Sequence, residues 1–402
     1  MPSVCFYFQV HQPFSLKQYS FFNIGNDHQY DDEKLNISIL NKVADKCYIP
    51  TNRIMLDLIK KNKGKFRITY SISGVALEQF EKYRPDVLES FIELSRTGAV
   101  EFLSETYYHS LSYLYSKEEF VRQVEKHKEK MKEYFNQEPT VFRNTELIYS
   151  NELAGFIAGL GYKAILCEGV DWLLNGRSPN FLYTPPNAPE IKCLLKNYRL
   201  SDDIAFRFSN QDWPEYPLTA SKYAGWIHQY EHTSDTINLF MDYETFGEHQ
   251  WEGTGIFNFL KHLPEEILKN KNFKFSTPSE LIANYKPAGV YDVHNVISWA
   301  DTERDLSAWI SNSMQEETLN KIYKLEEDVK KLDNQEILDR WSKLQISDHF
   351  YYMCTKYWAD GVVHKYFSPY NSPYDSYIYF INVLSDLELL INQQSLEKTL
   401  IS

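Results

Sequence analysis

Asp242 and Glu244 stand two residues apart at the end of an apolar run, and Glu248 and His249 follow at once: INLFMDYETFGEH, starting at Ile237. Ionised carboxylates are costly to bury unless they are paired or used. On a continuing strand, side chains at i and i+2 leave from the same face. The spacing therefore predicts that Asp242 and Glu244 look into one cavity. Two carboxylates on one side of a bond cannot straddle it, so acid/base or nucleophilic work needs a partner from another strand. Glu146, in TVFRNTEL, is a credible source.

Other reactive types sit just after strand-like runs: His11 and Gln12 after VCFYFQV, Glu101 and Glu105 in AVEFLSET with His109 beyond, and Glu168 and Asp171 near YKAILCEG. In parallel α/β folds the working residues lie at the carboxyl ends of the strands. Each residue also has a plain structural reading. His11 could be a satisfied structural histidine, and Glu101 one half of a buried ion pair. Glu146 could serve a helix N-terminus, where Ser150 and Glu152 already suit a cap. Glu168 and Asp171 read as loop solvation. No GxGxxG after a strand, GxxxxGK[ST], GxSxG or HExxH occurs, which leaves phosphate cradling, serine-elbow and zincin chemistry unsupported. A metal could be improvised from His11, Asp242 and His249, but the first strand lacks the HxD spacing of sheet-based metal hydrolases.

The elements that must position these groups alternate. Strand-like runs at 4–10, 66–74, 99–106, 140–147, 162–169, 190–198 and 236–244 are separated by segments of helical period, and FKFSTPSEL (273–281) ends the series. Capping boxes mark helix starts at Ser116/Glu119 and Thr277/Glu280, and Gly161 suits a helix end. Roughly seven strands, each followed by a helix, imply a parallel sheet covered on both faces. A closed barrel and an open doubly wound sheet both satisfy that pattern. After about residue 285 the period becomes helical. The expected division is residues 1–285 as the α/β domain and 286–402 as an α-helical one.

The chain has 30 tyrosines, 25 phenylalanines and 8 tryptophans, an excess that suits flat amphipathic ligands such as sugar rings. A net charge of −13 disfavours nucleic acid and anionic membrane surfaces. Five widely spaced cysteines without a CxxC pair predict reduced thiols and a cytoplasmic setting. The N-terminus has no basic segment before its short apolar stretch, so it reads as a first strand and not a signal peptide. No apolar run approaches a membrane span.

HQP (11–13), FRNTELIYSNELA (142–154), LFMDYETFGEHQW (239–251), STPSE (276–280), SWADTERDLSAW (298–309) and SDHFYYM (347–353), in that order, together resemble glycoside hydrolase family 57, nearest its intracellular α-amylase-type members. The resemblance implies a distorted (β/α)7 barrel followed by an α-helical domain closing over the cleft. It implies action on α-glucans with retention of configuration and no metal or other cofactor. By matching position, Glu146 is implied as nucleophile and Asp242 as general acid/base. His11, Glu101, Glu244, His249, Trp299 and Asp348 are implied as substrate-binding residues. GAVEF lacks the glutamine usual after its glycine. His249 stands where glucanotransferase-type members carry tryptophan, with Trp251 two later. The expectation is thus a retaining α-1,4-glucan hydrolase acting on glucans or maltooligosaccharides; a 4-α-glucanotransferase and a non-catalytic glucan binder are the alternatives.

Overall fold

β1 (Ser3–Val10) is buried at every position because its two faces serve two cores. Val4, Phe6, Phe8 and Val10 pack outward with helix residues such as Leu58, Phe80 and Phe91. Cys5 and Tyr7 turn inward to meet Leu103, Val141, Leu166, Leu194 and Phe240. Each large side chain so buried contributes about 1.5–3 kcal/mol. The computed structural model describes residues 1–356 and 367–401.

The strands in chain order are β1, β2 (Ile68–Ile72), β3 (Val100–Phe102), β4 (Val141–Arg143), β5 (Ala164–Glu168), β6 (Leu182–Thr184), β7 (Lys192–Lys196), β8 (Thr236–Asp242), β9 (Lys274–Phe275) and β10 (Gly289–Val290). One sheet runs β3-β2-β1-β8 and the other β10-β6-β7-β5-β4. Two thin seams join them. At the first, Ser104 N donates to Val141 O at 3.1 Å and Arg143 N to Ser104 O at 2.9 Å. At the second, Asn197 N donates to Asn238 O at 2.9 Å, and Asn238 Nδ2 to Leu195 O at 2.9 Å. The result is a distorted seven-stranded parallel ring, β1-β2-β3-β4-β5-β7-β8. The barrel, not the open sheet, is the architecture.

Three short strands stand off this ring. β9 pairs with Ser3 and Val4, at the end of β1 away from Gln9. β6 runs antiparallel to β7 and carries β10.

Two compact units divide the chain: Met1–His11, Ile39–Glu105 and Val124–Trp299 form the first, and Gln12–Ser38, Thr106–Gln123 and Ala300–Ser402 the second. They interleave along the chain, whereas the sequence reading cuts it once, between 285 and 286. The first unit holds the ring. The second holds the helices Ser313–Lys324, Glu326–Lys331, Gln335–Lys343, Ser347–Tyr351 and Pro373–Ile401. Trp341 is fully buried there, its indole N–H donating to Ile322 O at 2.7 Å. The helical stretch expected after residue 285 includes Tyr357 and Trp358, which lie outside the described residues.

Candidate active site

Glu146 follows β4 in a tight turn whose backbone is left-handed at two successive non-glycine residues, Glu146 (φ 58°) and Leu147 (φ 50°). Each such residue costs on the order of 1–3 kcal/mol and persists only where its surroundings over-determine it. The anchors are visible. Leu147 is fully buried in the ring's interior core. Tyr149 and Ile297 exchange two backbone hydrogen bonds of 2.9 Å, which lays the segment ending in Trp299 alongside the turn. Trp299 N then donates to Glu146 O at 3.2 Å, and the indole Nε1 donates to Glu146 Oε2 at 2.8 Å.

The Trp299 ring is also met by two cations. The Arg143 guanidinium carbon lies 4.9 Å from its centroid and Lys196 Nζ 5.2 Å. Lys196 is paired as well, 3.3 Å from Asp202 and 3.7 Å from Glu168. Glu168, expected in a solvated loop, is instead fully buried. It ends β5 opposite Lys196 in the β5/β7 register, and that neighbour offsets its desolvation. Asp171 does lie at the surface, bound to Arg199 at 3.0 Å.

Asp242 is the last residue of β8 and the ladder partner of Gln9. Gln9 centres a buried polar network. Its Oε1 accepts from Tyr7 and Ser71, each at 2.8 Å, and its Nε2 donates to Glu105 Oε1 at 3.0 Å. Burial pushes the Tyr7 phenol well above its ordinary pKa; nearby Arg143 opposes that shift, while Glu105 and Asp242 add to it.

Glu101 lies elsewhere. Its carboxylate accepts from Ser279 N at 3.0 Å and from the Ser279 hydroxyl, at the start of the helix Pro278–Asn284 that follows β9. Burial pushes its pKa up. The carboxylate that reaches the Gln9 network is Glu105, just beyond β3 and four residues on from Glu101.

Glu244 also departs from its expected geometry. β8 ends at Asp242 and a 3-10 turn covers Tyr243–Thr245, so strand alternation does not align the two carboxylates. Glu244 is buried and accepts the Tyr48 hydroxyl. The loop beyond is clamped: Thr51 Oγ1 donates to Phe246 O at 2.9 Å and Gln250 Nε2 to Ala205 O at 2.9 Å. Gly247 (φ 118°) passes so close to Lys46 that a Cβ would sit 2.0 Å from its carbonyl oxygen. Glu248 pairs with Lys42 at 2.6 Å. Burial depresses the neighbouring His249 to a pKa of about 4, so it is neutral near pH 7.

His11 follows β1, with Nδ1 2.7 Å from Ser73 Oγ. Asp348 belongs to the second unit, in the helix Ser347–Tyr351, where it adjoins the Tyr352 phenol. Among the described residues no group of three or more His, Cys, Asp or Glu side chains is arranged to hold a metal ion. The structure thus unites Glu146 with Trp299, and Asp242 with Gln9 and Glu105. The sequence reading missed Arg143, Lys196 and Tyr48 as their neighbours. Its available signal was a basic residue inside an otherwise apolar strand, as in TVFRN and EIKCLLKNY.

The model of the family described as Glycosyl hydrolase family 57 matches residues 5–294. A Methanocaldococcus jannaschii protein named "Putative alpha-amylase" is 45% identical over 97% of this chain and 85% of its own length. Among solved structures, the 4-alpha-glucanotransferase of Thermococcus litoralis superposes with a TM-score of 0.68 at 16% identity, over 96% of this chain. This chain spans 59% of that longer one. The GH57-type branching enzyme of Pyrococcus horikoshii gives 0.71 at 16% identity, over 95% of this chain and 88% of its own. The chain belongs to glycosyl hydrolase family 57.

Proposed function

We propose that this family 57 chain is a retaining, α-amylase-like hydrolase of α-1,4-glucans, with Glu146 as nucleophile and Asp242 as general acid/base. The observation that carries this reading is the strained, doubly anchored Glu146, set across the ring from Asp242. From β4 to β8 is three strands one way round and four the other. Strands about 4.8 Å apart and tilted about 36° make such a ring on the order of 13 Å across. A ring of that width lets carboxylates on opposite walls approach one another across it. A retaining glycosidase forms its glycosyl-enzyme with the two carboxyl groups about 5–5.5 Å apart, the separation this reading requires.

In this reading Glu146 attacks the anomeric carbon while Asp242 protonates the departing glycosidic oxygen. Asp242 then takes a proton from water as the water oxygen bonds to the anomeric carbon and the bond to Glu146 breaks, which frees the Glu146 carboxylate and releases the sugar with its original configuration. The Trp299 N–H holds one oxygen of Glu146 at 2.8 Å and so orients the carboxylate that attacks in this reading. Asp242, half-buried at the end of an apolar strand, is the group that must hold a proton before attack in this reading.

Glucan transfer is the second reading, and one observation favours it. In the loop that follows Asp242, the Trp251 indole is 63% exposed, an apolar face on which an acceptor sugar could stack in place of water. Product analysis on maltoheptaose separates the two. Shorter oligosaccharides with rising reducing ends mean hydrolysis. Products both longer and shorter than the substrate, at constant reducing ends, mean transfer. Silence would support a binder and end the proposal.

Five unpaired, buried cysteines support action in a reducing compartment. Among the described residues no helix is long and apolar enough to cross a membrane.

A further inference from the structure

Arg143 is fully buried, and none of its three guanidinium nitrogens has a hydrogen-bond partner among the described residues. A buried cation of this kind is expensive unless something uses its field. What it meets is the Trp299 ring, at a distance typical of a cation–π contact. The contrast with Lys196 is informative. Lys196 approaches the same ring but is paired with Asp202 and Glu168, so much of its charge is already offset. The Arg143 guanidinium has no such ion pair among the described residues.

We propose that Arg143 is a positioning residue for the nucleophile, acting through Trp299 to hold and polarise the indole whose N–H binds Glu146. This rests on the reading of Glu146 as nucleophile. A cation on an indole face draws electron density from the ring and makes its N–H a better donor. The donor is then strongest toward an ionised carboxylate, which is the form that attacks. The same turn supplies both ends of the relay, because Arg143 ends β4 and Glu146 comes three residues later.

Charged and titratable groups come to this cluster from every neighbouring strand. Tyr7 on β1 senses Arg143, Glu105 beyond β3 and Asp242 on β8. Glu168 on β5 and Asp202 in the helix Tyr198–Ala205 surround Lys196 on β7. Lys196, Glu168, Asp202, Glu105 and Asp242 persist when Arg143 is replaced, so a change in pH profile reports the lost guanidinium.

The test is steady-state kinetics on maltoheptaose from about pH 4 to 9 for the wild type, Arg143→Met, Arg143→Lys, Trp299→Phe and Arg143→Met/Trp299→Phe. Arg143→Met keeps most of the side-chain volume and loses the charge. Its kcat is expected to fall roughly 10- to 30-fold with KM little changed. The acid limb of its kcat/KM profile should move to higher pH, because losing a nearby cation disfavours the carboxylate form. Arg143→Lys should recover most of both. The double variant should be no slower than Trp299→Phe alone.

A kcat within twofold of wild type for Arg143→Met overturns the inference. So does a loss shared equally by Arg143→Lys with the acid limb unmoved, since that describes packing alone. Should Arg143→Met not fold, Arg143→Lys decides: near-wild-type kcat and acid limb support the relay, and a large loss with an unmoved limb overturns it. A wild type silent on maltoheptaose removes the functional reading itself, an outcome distinct from an active wild type indifferent to Arg143.

Discussion

Trp299 grips Glu146 twice, its backbone N–H on the carbonyl at 3.2 Å and its indole N–H on carboxylate Oε2 at 2.8 Å. One residue therefore orients both the strained main chain and the carboxylate of another. Such a double constraint is what a left-handed, non-glycine position requires to persist, and it confines the carboxylate to one direction of approach.

Replacing the carboxylate by its amide should separate chemistry from fold. Glu146→Gln keeps an oxygen for the Trp299 N–H but is a poor nucleophile. Turnover of maltoheptaose should fall by ~10⁴-fold or more, with the thermal midpoint little altered. Wild-type rates in a folded variant would remove the assignment.

For Asp242→Asn the loss should depend on the leaving group. Natural glucans need protonation of the departing oxygen, whereas activated aryl glycosides do not. Hydrolysis of maltooligosaccharides should drop steeply while the first step on an activated aryl α-glycoside is largely spared. Equal losses on both substrates would contradict an acid role.

Trp299→Phe retains a ring beside Glu146 and deletes one hydrogen bond to a charged group, an interaction of about 1.5–3 kcal/mol. The expected result is a kcat lower by roughly 10- to 100-fold. A change confined to KM would mean that the indole serves only substrate binding.

The depressed pKa of His249, about 4, makes a stability prediction. Its folded-state pKa lies below the ordinary value near 6.5, so between those pH values the unfolded chain binds the extra proton. The contribution is full above about pH 6.5 and is lost as pH falls toward 4. Its size is at most about 3 kcal/mol, less what partial exposure returns. Urea unfolding of the wild type and His249→Gln across this range should show a shallower decline in the variant. Parallel curves would contradict it.

The strands were legible because a buried parallel ladder demands dense apolar runs, and VCFYFQV and TINLFMD have them. Closure was not legible. It depends on a few seam bonds, such as Arg143 N to Ser104 O, between segments whose local composition says nothing of each other. Asp242 drew notice because a carboxylate after such a run stands out. The alignment expected of Glu244 failed because the alternation rule holds only while the strand continues, and β8 stops at Asp242. Choosing Glu105 over Glu101 requires register: only the fold shows which carboxylate meets Gln9 and which meets Ser279. β6 escaped because three residues in NFLYTPP carry too little pattern.

The most direct test is to trap the intermediate. A fluorinated α-glucosyl fluoride that forms the glycosyl-enzyme but hydrolyses slowly should add one sugar mass to the intact protein. Proteolysis and mass spectrometry should place that mass on the peptide containing Glu146, and Glu146→Gln should acquire none. A stable adduct on any other residue, or product released with inverted anomeric configuration, would contradict the account.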